Sequence, residues 1–594
     1  MSSHGTTMIL PKPLGLVHYI MIVSSLLKTN MKKCILLGAF GLAFMINPVQ
    51  AQDFTNLKNE KPFNFSGNIQ ARGISYNANG IPDRRKPLSY YLVGSPTFSF
   101  YGFTIPVSFT FSEVDRSFRQ PFNQFGISPT YKWLTLHGGY RNLNFSPYTL
   151  GGHTILGAGF EMKPGKLRLG FMYGRLNRAT TIDTTTQALV PFSFSRKAYA
   201  AKLGYGSDKN FFEFSYLSAK DDDKIPDNLP NQLNIVNPAS NNVLGYSYKF
   251  TLFKNILFES DGAASLYTKD YNSSLSLDSF DNPVLNQAKK YFSINATTEF
   301  YTAISAALVY KGKNYQIKLG YKRIDPDFKT MGAYYFNSDL ENYILSPSAT
   351  LFKGKARLSG SLGLQHDNLK NQKRAQNNRV IGSANLSYEV NKSLGFDVVY
   401  SNFSDNQRAK TVLYADSIKI VQTTQTIGLM PRYFITSTNA THAISASASI
   451  NTLRDFNNFF GNDAASRNIN TTQFFINYNL GFPQKNWSVF INLNNTNLKG
   501  AGLNSKFLGA TLGGNTFLIK NKLQAGITNT LTQSDANQNK SFIINASGNL
   551  NYKVDKRQNL GFNFYFTNNK AKSLNAITPN FSETRSELSY SLNF

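Results

Sequence analysis

At 594 residues, with 41% hydrophobic residues and a slightly negative mean hydropathy, the chain is too polar to be a bundle of membrane helices. Its 14% aromatic content, mostly Phe and Tyr, together with many Asn and Ser residues, does not suit an ordinary soluble enzyme. The net charge of +28 points to anionic partners such as lipopolysaccharide phosphates, acidic glycans or anionic solutes.

The first element is a targeting segment. From Met31 the chain carries Lys32 and Lys33, an apolar run from Ile35 to Ile46, and Val49-Gln50-Ala51, the pattern of a secretory signal cut after Ala51. Residues 31–51 are read as that signal, and residues 1–30 as an upstream extension from a start assigned too early. Residues 52–62 are expected to form a short periplasmic lead, and 63–594 one domain. Cys34, the only cysteine, leaves with the signal, so the mature chain has no disulfide and no cysteine metal site. The four Lys of residues 1–51 have no acidic partner there, so their loss takes the charge from +28 to +24. An exported chain of this kind would not meet nucleic acid.

From Phe63 onward, amphipathic stretches recur, joined alternately by tight turns and longer polar loops. Tight turns fall at Tyr101-Gly102, Tyr131-Lys132, Lys163-Pro164-Gly165, Ser207-Asp208-Lys209, Phe253-Lys254-Asn255 and Lys311-Gly312-Lys313. They continue at Lys353-Gly354-Lys355, Asn391-Lys392, 437–440, Pro483-Gln484-Lys485, Lys520-Asn521 and Val554-Asp555-Lys556. Gly, Pro, Asn and Asp supply the backbone angles that hairpins demand. Hairpins at these turns, with a lone strand at each end, give roughly 26 strands, and an even number puts both termini on the side of the short turns. The longer connections, 221–241, 270–297, 404–421, 454–468 and 569–582, then lie outside. Stretches 221–241 and 270–297 are long enough to be partial plugs.

Each sampled stretch has one apolar and one polar face. Ile317, Leu319 and Tyr321 alternate with Gln316, Lys318, Gly320 and Lys322, and Leu358, Leu362 and Leu364 with Arg357, Ser359, Ser361 and Gly363. Tyr140, Tyr205, Tyr310, Tyr400 and Tyr552 sit near stretch ends, where interfacial girdles form. The chain closes on Leu588, Tyr590, Leu592 and Phe594, alternating with Ser589, Ser591 and Asn593. This ending resembles the closing strand of bacterial outer-membrane β-barrels, which their assembly machinery reads. The Tyr/Phe/Asn-rich strands and short MKK-type signal resemble those of large Bacteroidota-type barrels. The resemblance implies an all-β fold, a transmembrane antiparallel up-and-down β-barrel of about 26 strands in the bacterial outer membrane.

The candidate lumen-lining residues are Arg168, Lys202, Lys249, Lys318, Lys322 and Arg357, with Glu213 and Asp397 in opposition. Rings of Lys and Arg favour anions; an incidentally charged, hydrated wall is the alternative. The low-charge segment 144–153, flanked by glycines, reads as a tight outer loop; an inward-turned loop or a docking site would also fit. Asp221, Asp222, Asp223, Asp227 and Asp208 lack the Gly and closing Glu of a calcium loop, and read as solvated acid. His137, His153, His366 and His442 fall in no nucleophile or metal motif, so catalytic residues, metals and cofactors are not expected.

No plug domain, periplasmic jelly roll or POTRA-like string is expected ahead of the barrel. A lumen this wide needs closing. Either long loops fold into it, or a periplasmic protein or lipoprotein plugs it. The function expected is a transport channel, porin-like or partner-plugged, with a basic lumen. The alternative is a membrane-embedded scaffold in a secretion, assembly or adhesion complex. Expected partners are outer-membrane lipid, lipopolysaccharide and the assembly machinery.

Overall fold

The computed structural model describes residues 62–113, 124–180, 193–224, 237–276, 283–333, 337–409, 420–456, 467–537, 539–572 and 579–594. The expected upstream extension and signal, and nearly all of 52–62, lie outside these residues, as does Asp227. A chain with one apolar face must pair every backbone group if that face is to meet lipid, and only a closed sheet does so with strands.

The chain opens with β1 (Asn64–Ser66 and Asn68–Asn79), β2 (Leu88–Gly94 and Thr97–Phe100), β3 (Phe103–Ser112) and β4 (Gln124–Ile127 and Thr130–Tyr131). Next come β5 (Leu134–Asn144), β6 (Gly151–Met162), β7 (Leu167–Asn177), β8 (Arg196–Gly206) and β9 (Phe211–Asp221). β10 (Ser240–Leu252), β11 (Ile256–Thr268), β12 (Thr298–Lys311) and β13 (Tyr315–Ile324) complete the first wall. A short helix, α1 (Pro283–Ala288), interrupts the connection from β11 to β12. β14 (Leu340–Leu351), β15 (Ala356–His366), β16 (Ala375–Glu389), β17 (Leu394–Ala409) and β18 (Ile420–Thr436) follow. The far wall is β19 (Thr441–Asp455), β20 (Ile469–Phe482), β21 (Trp487–Gly500), β22 (Leu503–Leu518), β23 (Leu523–Ala536), β24 (Asn539–Lys553) and β25 (Gln558–Ala571). β26 (Phe581–Asn593) ends the chain.

Every strand is antiparallel to its sequence neighbours, and β26 pairs with β1 from Asn68↔Asn593 to Asn79↔Ser582, closing a 26-strand barrel. At the seam Gly67 and Phe594 exchange backbone bonds of 2.9 and 3.1 Å, and the Phe594 ring stacks on Phe65 at 4.0 Å. Gly67 holds φ +146°, and a Cβ there would lie 2.6 Å from the Ser95 carbonyl oxygen, so only glycine fits the seam.

The tight turns, the start of β1 and the end of β26 share one end. Several turns use residues that the turn rules would not pick: Phe253 and Lys254 take φ +48° and +63°, and Phe352 and Lys353 +51° and +56°. At the other end the connections are not uniformly long. Ala501 and Gly502 alone join β21 to β22, with φ +52° and +75°. β22, at 16 residues, spans about 54 Å along its axis. A membrane crossing needs about 9–11 residues, so β21 and β22 rise clear of the bilayer and are joined there without a long loop.

Parity separates the faces. Leu203, Phe214, Leu244, Leu319, Leu364, Ile427, Phe474, Ile491, Leu512, Ile527, Phe562 and Leu588 are exposed on the outside as an apolar belt. The buried apolar cluster lies on the inner face of β5–β13, where soluble proteins have their core.

Candidate functional site

The inner cluster is built by two loops. Residues 145–150, between β5 and β6, and 325–333, after β13, turn into the barrel. Phe145, Tyr148, Leu150, Phe328 and Met331 are all buried, against Met172, Ala200, Leu217, Val243 and Ala303 of the wall. Burial of a side chain of this size is worth ~1.5–3 kcal/mol. Fixing a residue's backbone costs ~1–2 kcal/mol. These anchors therefore offset part of the cost of ordering the two loops.

Polar contacts set the position. Gly151 N–H donates to Gly332 O at 2.9 Å, and Thr330 Oγ1 to Thr149 O at 2.7 Å, tying loop to loop. Thr149 Oγ1 donates to Ser215 Oγ at 3.0 Å, and Ser265 Oγ to Lys329 O at 2.7 Å, tying both to the wall. Asn241 works on both sides: its Oδ1 accepts from Met331 N–H at 2.9 Å, and its Nδ2 donates to Ser265 Oγ and Leu266 O. The Tyr148 and Phe328 rings meet edge to face at 6.0 Å. Wall glycines provide the sockets. A Cβ on Gly245 would lie 2.6 Å from Thr149 Cγ2, and one on Gly170 would lie 3.0 Å from the Phe145 ring.

Segment 144–153 is therefore an inward-turned loop, not a plain outer one. Its low charge and flanking glycines carried that signal, since a loop entering an apolar cradle cannot bring unpaired charge. Residues 325–333 are a second inward loop, one not singled out from the sequence. The described part of 270–297 behaves differently. Leu285 of α1 packs with Ala288, Phe292 and Ile294 against Leu266 and Phe300, whose parity is outward, so this stretch covers the outer rim.

Five of the eight expected lumen residues are held in ion pairs. Arg168 bonds Glu213 and, at 2.7 Å, Asp208. Lys202 lies 3.5 Å from Glu161, with its ammonium 5.0 Å from the Phe145 ring centroid. Lys318 bonds Glu259 at 3.1 Å, and Asp397 bonds Arg432. Lys249, Lys322 and Arg357 make no ion pair among the described residues. The strand register sets Arg168, Gly204, Glu213, Ser247, Asp261, Ser305 and Lys322 side by side across β7–β13. That row mixes both signs. Glu259, Asp261, Lys318 and Lys322 line one cleft of about 240 Å³.

The acidic run divides. Asp221 is buried in a two-point pair with Arg196, at 2.7 and 3.1 Å, and accepts from Ala239 N–H, so it is a staple rather than a solvated acid. Asp208 lies in the turn at the opposite end of β9. The histidines have separate partners: His137 with Ser128 and Glu161, His153 with the Thr154 carbonyl, His366 with Glu341, and His442 with Tyr478.

A closed antiparallel barrel, apolar outside and partly filled inside by its own loops, defines an outer-membrane β-barrel protein. No protein-family model matches the chain, and no curated protein does. Among solved structures it is similar to the outer membrane protein OpdK from Pseudomonas aeruginosa, with 12% identity over 67% of this chain and 99% of that one and a TM-score of 0.29. The copper transporter OprC gives 8% identity, 90% and 81% coverage and a TM-score of 0.40. The FrpB iron transporter from Neisseria meningitidis gives 9%, 91%, 83% and 0.38. The barrel itself stands on its own strand pairing.

Proposed function

We propose that the protein is an outer-membrane transport channel, narrowed on one side by its own loops. The observation that carries this reading is the pair of loops pinned to the inner wall of β7–β13, facing polar walls that no apolar cluster covers among the described residues. A wide barrel needs such narrowing to avoid leaking small solutes. Anion preference, the finer form of this reading, falls among the expected bases to Lys249, Lys322 and Arg357, because Arg168, Lys202 and Lys318 have carboxylate partners. The selectivity it supports is therefore modest.

Purified protein in a planar bilayer tests the proposal. Discrete conductance steps are expected, and deletion of 145–150 should enlarge them. A folded barrel that conducts no ions would instead favour the scaffold reading.

A further inference from the structure

The far wall differs in chemistry from the loop-bearing one. The register sets Ser445, Asn477, Asn492, Thr511, Thr530, Asn545 and Thr567 side by side across β19–β25, every one a hydroxyl or an amide. Arg432 and Glu583 follow at the two ends of the row. A second row runs Ser488, Asn515, Gly526, Asn549 and Asn563. Among the described inward positions of β19–β25, only Asp455 and Lys553 are charged, each at the last place of its strand. The other Lys and Asp residues of these strands, Lys499, Lys506, Asp535, Lys540 and Lys570, have outward parity. Charge has been kept off this face.

The row is laterally bonded and still accessible. Asn477 Nδ2 donates to Asn492, Thr511 and Thr530 hydroxyls meet at 3.0 Å, and Thr567 Oγ1 donates to Asn545 at 2.8 Å. An amide carries two donors and a carbonyl with two lone pairs, and a hydroxyl carries one donor and two lone pairs, so capacity remains on most of these groups. Five aromatic residues stand on the same face: Phe475, Phe490, Phe507, Phe517 and Tyr565. Phe475 and Tyr565 are 36% and 42% exposed.

We propose that this wall is a path for neutral, polyhydroxylated solutes of the oligosaccharide class, an inference that rests on the channel reading. A sugar hydroxyl both donates and accepts, as do water, Asn and Thr. Exchanging water for sugar along the row therefore changes the free energy little at any one position. Many weak sites of that kind allow entry and release. The aromatic rings supply apolar area for the C–H faces of a pyranose. A charged solute would shed hydration here with no counter-charge to meet it.

The test uses the full-length protein in a bilayer, with maltohexaose as the neutral probe and hexagalacturonate as an anionic probe of equal length. The wild type should show concentration-dependent current interruptions with maltohexaose and far fewer with hexagalacturonate. Asn492→Leu with Asn545→Leu should weaken the maltohexaose effect about tenfold; Phe490→Ala should shorten each interruption. Asn497→Leu, of outward parity, should leave them unchanged, and heat-modifiable mobility confirms folding of each variant. Open channels with no interruption by maltohexaose, equal interruption by both probes, or interruption unaffected by the inward variants would each overturn the assignment while leaving a channel. Absence of conductance would remove the channel reading itself.

Discussion

Lys318 and Lys322 lie two places apart on the same face of β13 and meet different surroundings. Lys318 bonds Glu259 at 3.1 Å, whereas Lys322 makes no ion pair among the described residues. Reversing Lys318 would set two carboxylates side by side. Reversing Lys322 would add a negative charge to a cleft that already holds Asp261. Lys322→Glu is therefore expected to move the reversal potential in a salt gradient toward cation preference. Lys318→Glu should chiefly lower the temperature at which the folded, heat-modifiable form is lost. An unchanged reversal potential for Lys322→Glu would take that residue out of the ion path. Parity in the sequence was enough to put both lysines on one face. Their partners were not legible, because Glu259 lies two strands away and the register between β11 and β13 depends on turns and loops that the local pattern does not fix. The same limit hid the pairing of Arg168 with Glu213 and of Arg196 with Asp221.

Strands and turns were the most legible elements, since each needs only local alternation and a few turn residues. Loops were the least, because length is a poor guide to where a loop goes: the short 145–150 enters the barrel, and the described part of 270–297 lies over its outer rim. One loop contact responds to acid. Asp339, at the end of the loop after β13, bonds Lys373 in the loop after β15 and accepts from the Leu369 N–H at 2.9 Å. Burial pushes the Asp339 carboxyl up, but the Lys373 ammonium and the backbone N–H groups of Leu369 and Asn368 outweigh it and hold the group below its ordinary value. A depressed carboxyl stabilises the folded loops above the unfolded value near ~4, and that contribution is lost as pH falls through the lower folded value. Limited proteolysis at 368–374 should stay slow from neutral pH down to about 5 and accelerate below about 4. Asp339→Asn should remove that dependence, and an unaltered acid profile in the variant would reject the clasp. At the seam, Phe594→Ala deletes the ring stacked on Phe65 and is expected to slow the appearance of heat-modifiable barrel in cells. Normal assembly kinetics would show that the terminal ring is dispensable.

Taken whole, the barrel has two unlike sides: a loop-bearing wall of paired charge and buried apolar contacts, and a taller wall of amides and hydroxyls. Whether the loops are a fixed narrowing or a gate follows from how they are held. A gate needs two arrangements of similar free energy. Here Tyr148, Leu150, Phe328 and Met331 are buried together, and the bonds of Asn241, Thr149 and Ser265 would all have to break at once. The geometry favours a fixed narrowing, and a disulfide can lock it. Residues 52–594 contain no cysteine, so in a chain without residues 1–51 introduced thiols have no competitor. The Thr149 and Ser215 hydroxyls meet at 3.0 Å, so Thr149→Cys with Ser215→Cys places two thiols within reach of a bond between loop and wall. Conductance and maltohexaose interruption should be the same for the oxidised and the reduced protein. A current that falls on oxidation and returns on reduction would show that these loops leave the wall during transport, and would turn the narrowing into a gate.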